Sequence, residues 1–194
     1  METYWEKKNK MKIVLDILMH ERNKQVLKFL KKGKNILELG CGSAPLIEIL
    51  QKKQTYTGID LNKTVIKTLK EKYPKHKFYM FNLEQDTISL KEKYDIILLV
   101  AFIEHMKNPD HLFKQIKKML TPEGKIVLTT PTKIGDSLNT LGAHVGLTSM
   151  SAVHDHEKIY NKKDIDELCR RNGLQLIYYK QFEFGLNQVI VLGK

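Results

Sequence analysis

The fold is decided by the stretch Ile36-Leu37-Glu38-Leu39-Gly40-Cys41-Gly42-Ser43-Ala44-Pro45, in which an apolar run meets two glycines and then a proline. The apolar run predicts a buried strand over 35–39. Gly40 and Gly42 permit a tight turn in which the backbone approaches a ligand, because neither residue has a Cβ atom. The proline suits the first turn of a helix, which we predict over 45–52.

Strands and helices alternate along the rest of the chain. Apolar runs and helical spacing predict strands over 55–59, 77–81, 95–101 and 125–130 and helices over 63–72, 110–120 and 162–172, the last closed by Gly173, with a turn at 121–124. The runs 174–184 and 188–192 follow each other closely and predict an antiparallel pair. This order of elements predicts an open α/β sheet.

Two segments flank this pattern. Apolar residues at helical spacing over 11–30 predict one or two amphipathic helices, broken near 20–23. We interpret 1–32 as N-terminal helices on the substrate side, acting as a lid or by packing, with contact to a membrane surface as the alternative. The other segment, 131–157, is a long loop that we interpret as a substrate loop within a main domain of 33–194, because long loops in compact domains are usually functional.

Two kinds of cofactor fit a glycine turn of this type. A dinucleotide fingerprint, G-x-G-x-x-G, requires a third glycine where this chain has Pro45. S-adenosylmethionine has no phosphates; it needs room for its amino-acid tail and an acid for its ribose. Asp60 ends the second predicted strand, twenty residues after Gly40, where a carboxylate can accept both ribose hydroxyls. The pattern therefore favours S-adenosylmethionine.

The order of motifs resembles class I S-adenosylmethionine-dependent methyltransferases, and is most similar to the methyltransferase-11-type group that includes quinone-biosynthesis O-methyltransferases. Residues 38–44 resemble motif I, an acid followed by G-x-G-x-G, with Ala44 in place of the last glycine. Residues 94–100 resemble motif IV, and 120–125 resemble the approach to the fifth strand. The resemblance covers 34–194. It implies a Rossmann-like, doubly wound, mostly parallel seven-stranded sheet with an antiparallel C-terminal strand pair.

The resemblance also implies a set of cofactor-binding positions. Asp60 matches the ribose-binding acid, and Phe81-Asn82-Leu83-Glu84 lies where the family places the segment beside the adenine. Asn82 stands where the family usually has Asp. The residues expected to bind the cofactor are Glu38, Gly40, Cys41, Gly42, Asp60, Leu61, Asn82, Leu83, Val100 and Ala101.

Two histidines are candidates for the base that takes a proton from a hydroxyl or amine acceptor. His105 follows the fourth strand, where the resembled class commonly has a histidine; the alternative is a structural residue that holds the 104–108 turn. His156 belongs to the run His154-Asp155-His156 of the long loop. We interpret this loop as folding over the substrate; the alternative is a solvated loop without a role in catalysis. The spacing of these histidines specifies no metal site, so none is expected.

Composition limits the partners. The net charge is +11, but only three of the 33 basic residues are Arg, and no run of Lys is longer than two. Specific phosphate recognition usually relies on Arg, so we interpret the charge as a solvated surface rather than a nucleic-acid site. The two cysteines, Cys41 and Cys169, are too few for a disulfide framework or a metal cluster. We find no secretory signal or membrane span and expect a cytoplasmic protein.

The class of methyl acceptor can be inferred only by excluding other kinds of methyltransferase. The N-P-P-Y-type tetrapeptide of amino-methylating enzymes is absent, and Val100-Ala101-Phe102-Ile103 stands in its place. We therefore favour O-methylation, with C- or N-methylation as the alternatives, of a small molecule such as a quinone precursor, a lipid or a sugar. The cofactor product is S-adenosylhomocysteine. The alternatives are an RNA-modifying methyltransferase, supported only by charge, and a non-catalytic domain that binds S-adenosylmethionine.

Overall fold

The computed structural model describes residues 19–31, 33–137 and 156–194. Its seven strands form one sheet in the order β3-β2-β1-β4-β5-β7-β6. Strands β1 to β5 are parallel, and β7 is antiparallel to both of its neighbours. The strands are β1 Asn35–Leu39, β2 Thr55–Asp60, β3 Lys77–Met80, β4 Tyr94–Val100, β5 Leu120–Pro131, β6 Gln175–Phe182 and β7 Asn187–Gly193. The predicted doubly wound, mostly parallel sheet with an antiparallel C-terminal pair is thereby confirmed.

Helices cover both faces of the sheet. The described parts of α1 and α4 are 19–30 and 133–137; the other helices are α2 Lys63–Lys72, α3 Pro109–Met119 and α5 Lys162–Asn172, with 3₁₀ turns at Pro45–Ile49 and Ile103–His105. One core lies between the sheet and α3 and α5, where residues such as Phe113 and Leu168 are fully buried. The other lies against α1 and α2, through residues such as Val26 and Ile66. Among the described helices, none combines the length and the apolar character needed to cross a bilayer.

The last helix ends as predicted. Gly173 has a left-handed conformation, with φ of 60°, and its N–H donates to the carbonyls of Arg170 and Cys169. The helix begins with a capping box in which Asn161 and Asp164 satisfy each other's backbone N–H groups. Cys169 is buried on this helix, as its spacing predicted.

Two helix predictions were wrong in extent. The described part of α1 shows no break at 20–23, and an ion pair of 3.1 Å between Lys24 and Glu21 spans one turn there. The helix predicted over 45–52 is only a 3₁₀ turn, Pro45–Ile49. Gln54 explains its early end, because its Oε1 accepts from the N–H of Gln51 at 2.8 Å and removes that donor from a helical bond.

The turn predicted at 121–124 was also wrong, because these residues belong to β5 as an irregularity in its pairing with β4. The register shifts between Tyr94 and Ile96, and the Thr121 hydroxyl donates to Asp95 across the shift at 3.2 Å. A bulge of this kind absorbs extra residues without ending the strand.

Candidate active site

A cavity of about 270 Å³ lies at the carboxyl ends of the parallel strands. Its wall is assembled from the segments that follow β1, β2, β3 and β4, as expected for an open α/β sheet. The lining residues are Gly40, Asp60, Leu61, Phe81, Asn82, Leu83, Glu84, Phe102, His105 and Met106.

The glycine turn is fixed to the neighbouring strand. The N–H groups of Gly40 and Cys41 both donate to the carbonyl of Ile59, at 2.8 and 3.0 Å. Gly40 has φ of +69°, and a Cβ atom at this position would lie 2.2 Å from Cδ2 of Phe102. The Phe102 ring therefore packs directly on the glycine, and the cavity depends on the absence of a side chain there.

Asp60 presents an ordered carboxylate to this cavity. One of its oxygens accepts from the N–H of Gly42 and the other from the N–H of Asn62, each at 2.9 Å. Each carboxylate oxygen has two lone-pair directions, so one bond to the backbone leaves each oxygen able to accept another donor. The backbone thus holds Asp60 in an orientation that suits a pair of neighbouring hydroxyls.

The segment after β3 forms another wall of the cavity. The side-chain oxygen of Asn82 accepts from the N–H of Glu84 at 3.1 Å, and the N–H of Asn82 donates to Asp86 at 2.7 Å. The first contact fixes the orientation of the amide, so its NH₂ group is left as the donor for any ligand. Glu84 in turn accepts from the N–H of Lys107 at 2.8 Å.

Glu38 lies outside the cavity lining, behind the glycine turn. Its carboxyl group is buried and accepts a hydrogen bond from the hydroxyl of Tyr56. Burial raises the pKa of Glu38 to about 7, and the hydrogen bond from Tyr56 opposes that shift. Burial also raises the pKa of the Cys41 thiol to about 12, aided by Glu38 and Asp60, so this thiol is not activated as a nucleophile.

The two candidate histidines lie together. The ring centroids of His105 and His156 are 5.0 Å apart, and His105 lines the cavity. Nδ1 of His156 lies 2.6 Å from Oδ1 of Asp136 in α4. A carboxylate at Nδ1 favours the tautomer in which Nδ1 carries the proton and Nε2 carries the lone pair. Residues 138–155, which include His154 and Asp155, lie outside the described residues.

The same place offers a set of possible metal ligands that the sequence analysis did not expect. Glu104, His105 and His156 each provide one donor atom, and these atoms lie within 4.8 Å of one another. Glu104 is buried, and burial raises its pKa. One divalent cation is able to contact imidazole nitrogens and a carboxylate oxygen in such an arrangement.

The structure thus gathers only part of the predicted site. Gly40, Asp60, Leu61, Asn82 and Leu83 line the cavity. The other five predicted cofactor-binding residues are described by the structure but do not line the cavity: Glu38, Cys41, Gly42, Val100 and Ala101. Gly42 still contributes, through its bond to Asp60.

Phe102, Met106 and Asp136 were not predicted as site residues. Phe81 and Glu84, which also line the cavity, were expected only as part of the segment beside the adenine. Phe81 and Glu84 flank the predicted pair Asn82 and Leu83, so their position along the chain was an available signal. Asp136 is twenty residues from His156, and no spacing in the sequence connects them.

These residues fit S-adenosylmethionine. An oriented carboxylate ends β2, apolar side chains such as Leu61 and Phe81 line the cavity, and Gly40 provides a cradle that a Cβ atom would fill. A carboxylate suits the ribose hydroxyls and apolar walls suit a purine ring.

Comparison with known proteins agrees with this geometry. Residues 12–179 match the family described as the methyltransferase domain. The chain is 24% identical to the ubiquinone biosynthesis O-methyltransferase of Coxiella burnetii over 188 residues, which cover 91% of this chain and 78% of that protein. It is 26% identical to the enzyme of the same name from Hydrogenovibrio crunogenus over 171 residues, covering 81% and 71%.

Among solved structures, an S-adenosylmethionine-dependent methyltransferase from Clostridium acetobutylicum superposes with a TM-score of 0.69. The superposition covers 96% of this chain and 98% of that one, at 13% identity, and so shows a shared fold. The chain belongs to the methyltransferase domain family, and it uses S-adenosylmethionine as its methyl donor.

Proposed function

We propose that this chain methylates an oxygen atom of a small acceptor, and that His156, oriented by Asp136, removes the proton of the acceptor hydroxyl. The observation that carries the proposal is the contact of 2.6 Å between Nδ1 of His156 and Asp136, beside a histidine that lines the cofactor cavity. The names of the relatives from Coxiella burnetii and Hydrogenovibrio crunogenus, both O-methyltransferases, support the choice of oxygen.

The proposed roles divide between two groups of residues. Asp60 holds the ribose, the segment from Phe81 to Leu83 contacts the adenine, and Gly40 allows the close approach of the backbone. S-adenosylmethionine supplies an electrophilic methyl group. A hydroxyl oxygen is a weak nucleophile until its proton leaves, and a positioned base contributes typically 10²- to 10⁴-fold to such a step. The His156 side chain is 11% exposed, so the proton passes to a nitrogen largely shielded from water.

The test compares three variants in an assay of S-adenosylhomocysteine release with a panel of hydroxylated small molecules. His156→Gln should lower kcat by about 100-fold or more and abolish the fall in kcat/KM at low pH that a histidine base causes. Asp136→Asn, which keeps the size of the side chain but loses the charge, should give a smaller loss. His111→Gln is the matched control, because His111 is an exposed histidine on α3.

The affinity for S-adenosylhomocysteine separates a catalytic defect from a damaged cofactor site. We expect all three variants to bind it as the parent protein does. A His156→Gln protein that transfers methyl groups at the parental rate would disprove the assignment of the base.

A second candidate is methyl transfer assisted by a divalent cation held by Glu104, His105 and His156. The observation that favours this candidate is that the donor atoms of the three residues all lie within 4.8 Å of one another. A cation there would bind the acceptor oxygen and lower its pKa, so that no protein base is needed.

A further inference from the structure

Three buried side chains carry oxygen atoms without a hydrogen-bond partner in the described part of the chain. Glu104, Thr130 and Gln188 are each only 1% exposed, and the atoms concerned are Oε2, Oγ1 and Oε1 respectively. Buried polar atoms are nearly always paired, because leaving one unpaired costs stability. Three unpaired oxygens in one region therefore indicate a missing partner.

The three residues belong to one face of the fold. Thr130 and Gln188 are opposite each other in the pairing of β5 with β7, so their side chains lie on the same side of the sheet. The Thr130 hydroxyl lies close enough to the Glu104 carboxyl group to lower its pKa, although the two groups do not reach hydrogen-bond geometry. Glu104 directly precedes His105, which lines the cofactor cavity. The cluster therefore adjoins the place where methyl transfer is proposed.

The chemistry of the cluster is that of a hydrogen-bond acceptor. The Gln188 amide nitrogen donates to the carbonyls of Pro131 and Tyr160, at 3.2 and 2.5 Å, and this fixes the oxygen as the unpaired atom. A carboxyl oxygen of Glu104 is able to accept, and a threonine hydroxyl is able to accept as well as donate. The three neighbouring residues thus offer unpaired acceptor oxygens to hydrogen-bond donors.

Arg22 of α1 marks the outer side of the cluster. It lies close enough to lower the pKa of both Glu104 and Glu183. Its Nε atom and Oε1 of Glu183 are also buried without a partner in the described residues. The Arg22 guanidinium is thus accompanied by two carboxyl groups, those of Glu104 and Glu183.

We propose that Glu104, Thr130 and Gln188 bind hydrogen-bond-donating groups of the methyl acceptor, and that this acceptor is a hydroxylated or amino-bearing molecule without a carboxylate or phosphate at this point. A carboxylate would bring further acceptor oxygens against three that already lack donors. The inference rests on the proposed function only in taking this face as the acceptor side. An acceptor without a negative charge at this point differs from the anionic partner that a net charge of +11 alone would suggest.

A first test needs no acceptor. Thr130→Val replaces an unpaired buried hydroxyl by a methyl group, so the melting temperature should rise by about 2 to 4 °C. Thr129→Val is the matched control, because Thr129 is equally buried but its Oγ1 accepts from the N–H of Ala101 at 3.2 Å. The control should melt at a lower temperature than the parent. A Thr130→Val protein that is destabilised like the control would show that the hydroxyl is already satisfied, and would overturn the proposal.

A second test measures ligand charge. Calorimetry on protein saturated with S-adenosylhomocysteine compares meta-hydroxybenzyl alcohol, meta-hydroxybenzylamine and meta-hydroxybenzoate, which differ in one group. The alcohol and the amine should bind at least about tenfold more tightly than the benzoate, and Thr130→Val should narrow the difference. Tighter binding of the benzoate, or no binding of any of the three, would overturn the proposal.

The two proposals fail in different ways. Thr130 belongs neither to the His156–Asp136 pair nor to the three possible cation ligands, so Thr130→Val tests the binding of the acceptor and His156→Gln tests the removal of its proton. If the probes bind in the expected order while His156→Gln retains full activity, the assignment of the base is wrong and the donor-binding cluster stands.

Discussion

Replacing Gly40 by alanine tests whether the Phe102 ring is a fixed wall of the cofactor cavity. Gly42→Ala provides a matched comparison two residues away in the same turn. Both glycines have a positive φ, +69° and +48°, but only Gly40 is covered: its Cβ would lie 2.2 Å from Cδ2 of Phe102, whereas a Cβ at Gly42 meets no described atom within 4 Å.

The magnitudes follow from this difference. A left-handed conformation costs alanine about 1–2 kcal/mol, and the smaller entropy of the unfolded alanine chain returns about 0.4–1 kcal/mol. Gly42→Ala should therefore lower the free energy of unfolding by about 1 kcal/mol. Gly40→Ala adds a collision within a packed site, typically about 1–3 kcal/mol, so we expect a total loss of about 2–4 kcal/mol.

The affinity for S-adenosylhomocysteine should differ between the two alanine variants in the same direction as their stability. Because the Phe102 ring lines the cavity, displacing it should weaken binding of S-adenosylhomocysteine about tenfold in Gly40→Ala and much less in Gly42→Ala. Urea denaturation measures the stabilities and calorimetric titration measures the affinities.

A double variant tests whether the Phe102 ring causes the loss of stability in Gly40→Ala. Phe102→Leu removes the ring atoms that meet the new methyl group, so Gly40→Ala combined with Phe102→Leu should be more stable than the sum of the single effects predicts. Equal losses of stability and of affinity in the two alanine variants, together with simple additivity in the double variant, would refute the account.

Three further predictions concern charge. Asp60→Ala should weaken binding of S-adenosylhomocysteine by about 10- to 100-fold, because charge-assisted hydrogen bonds to the ribose are lost, and Asp60→Asn should lie between that variant and the parent in calorimetric titration. Burial raises the pKa of Glu38 from 4.5 to about 7, so the folded protein binds one more proton than the unfolded chain between these values, and the free energy of unfolding should fall as pH rises from 4.5 to 7, by on the order of 3 kcal/mol. Glu38→Gln should flatten this part of the stability curve measured by urea denaturation at several pH values. Methyl transfer should survive treatment with EDTA if His156 is the base; loss of activity that Mg²⁺ or Mn²⁺ restores would favour the cation-assisted candidate instead.

The glycine turn and Asp60 were accessible from sequence because each follows a parallel strand. The carboxyl ends of such strands meet at one edge of the sheet, so residues twenty positions apart become neighbours by topology alone. The contact between the N–H of Gly42 and Asp60 realises this expectation. Periodicity likewise located the strands and the main helices, since buried positions repeat at fixed intervals.

The remaining features depend on contacts that no local pattern encodes. The Phe102 ring over Gly40 and the Asp136 carboxylate beside His156 join residues far apart in the chain. The short 3₁₀ turn after Pro45 escaped prediction for the same reason. Its continuation is prevented by Gln54, a residue outside the helical pattern, whose amide group also donates to the carbonyls of Leu30 and Gly33.

The contact between Asp136 and His156 joins the two ends of the nineteen-residue stretch 137–155. The carbonyl of Glu104 adds to this connection by accepting from the N–H groups of Glu157 and Lys158, at 2.8 and 3.2 Å. The described residues on either side of this stretch are therefore held together by His156 and Asp136, the pair that is proposed to remove the acceptor proton. The entropic cost of closing a loop changes slowly with its length. We therefore expect that sequences of different length can be grafted between His156 and Asp136 while the base stays in position. We propose the predicted substrate loop as the place where evolution, or an engineer, exchanges one acceptor for another.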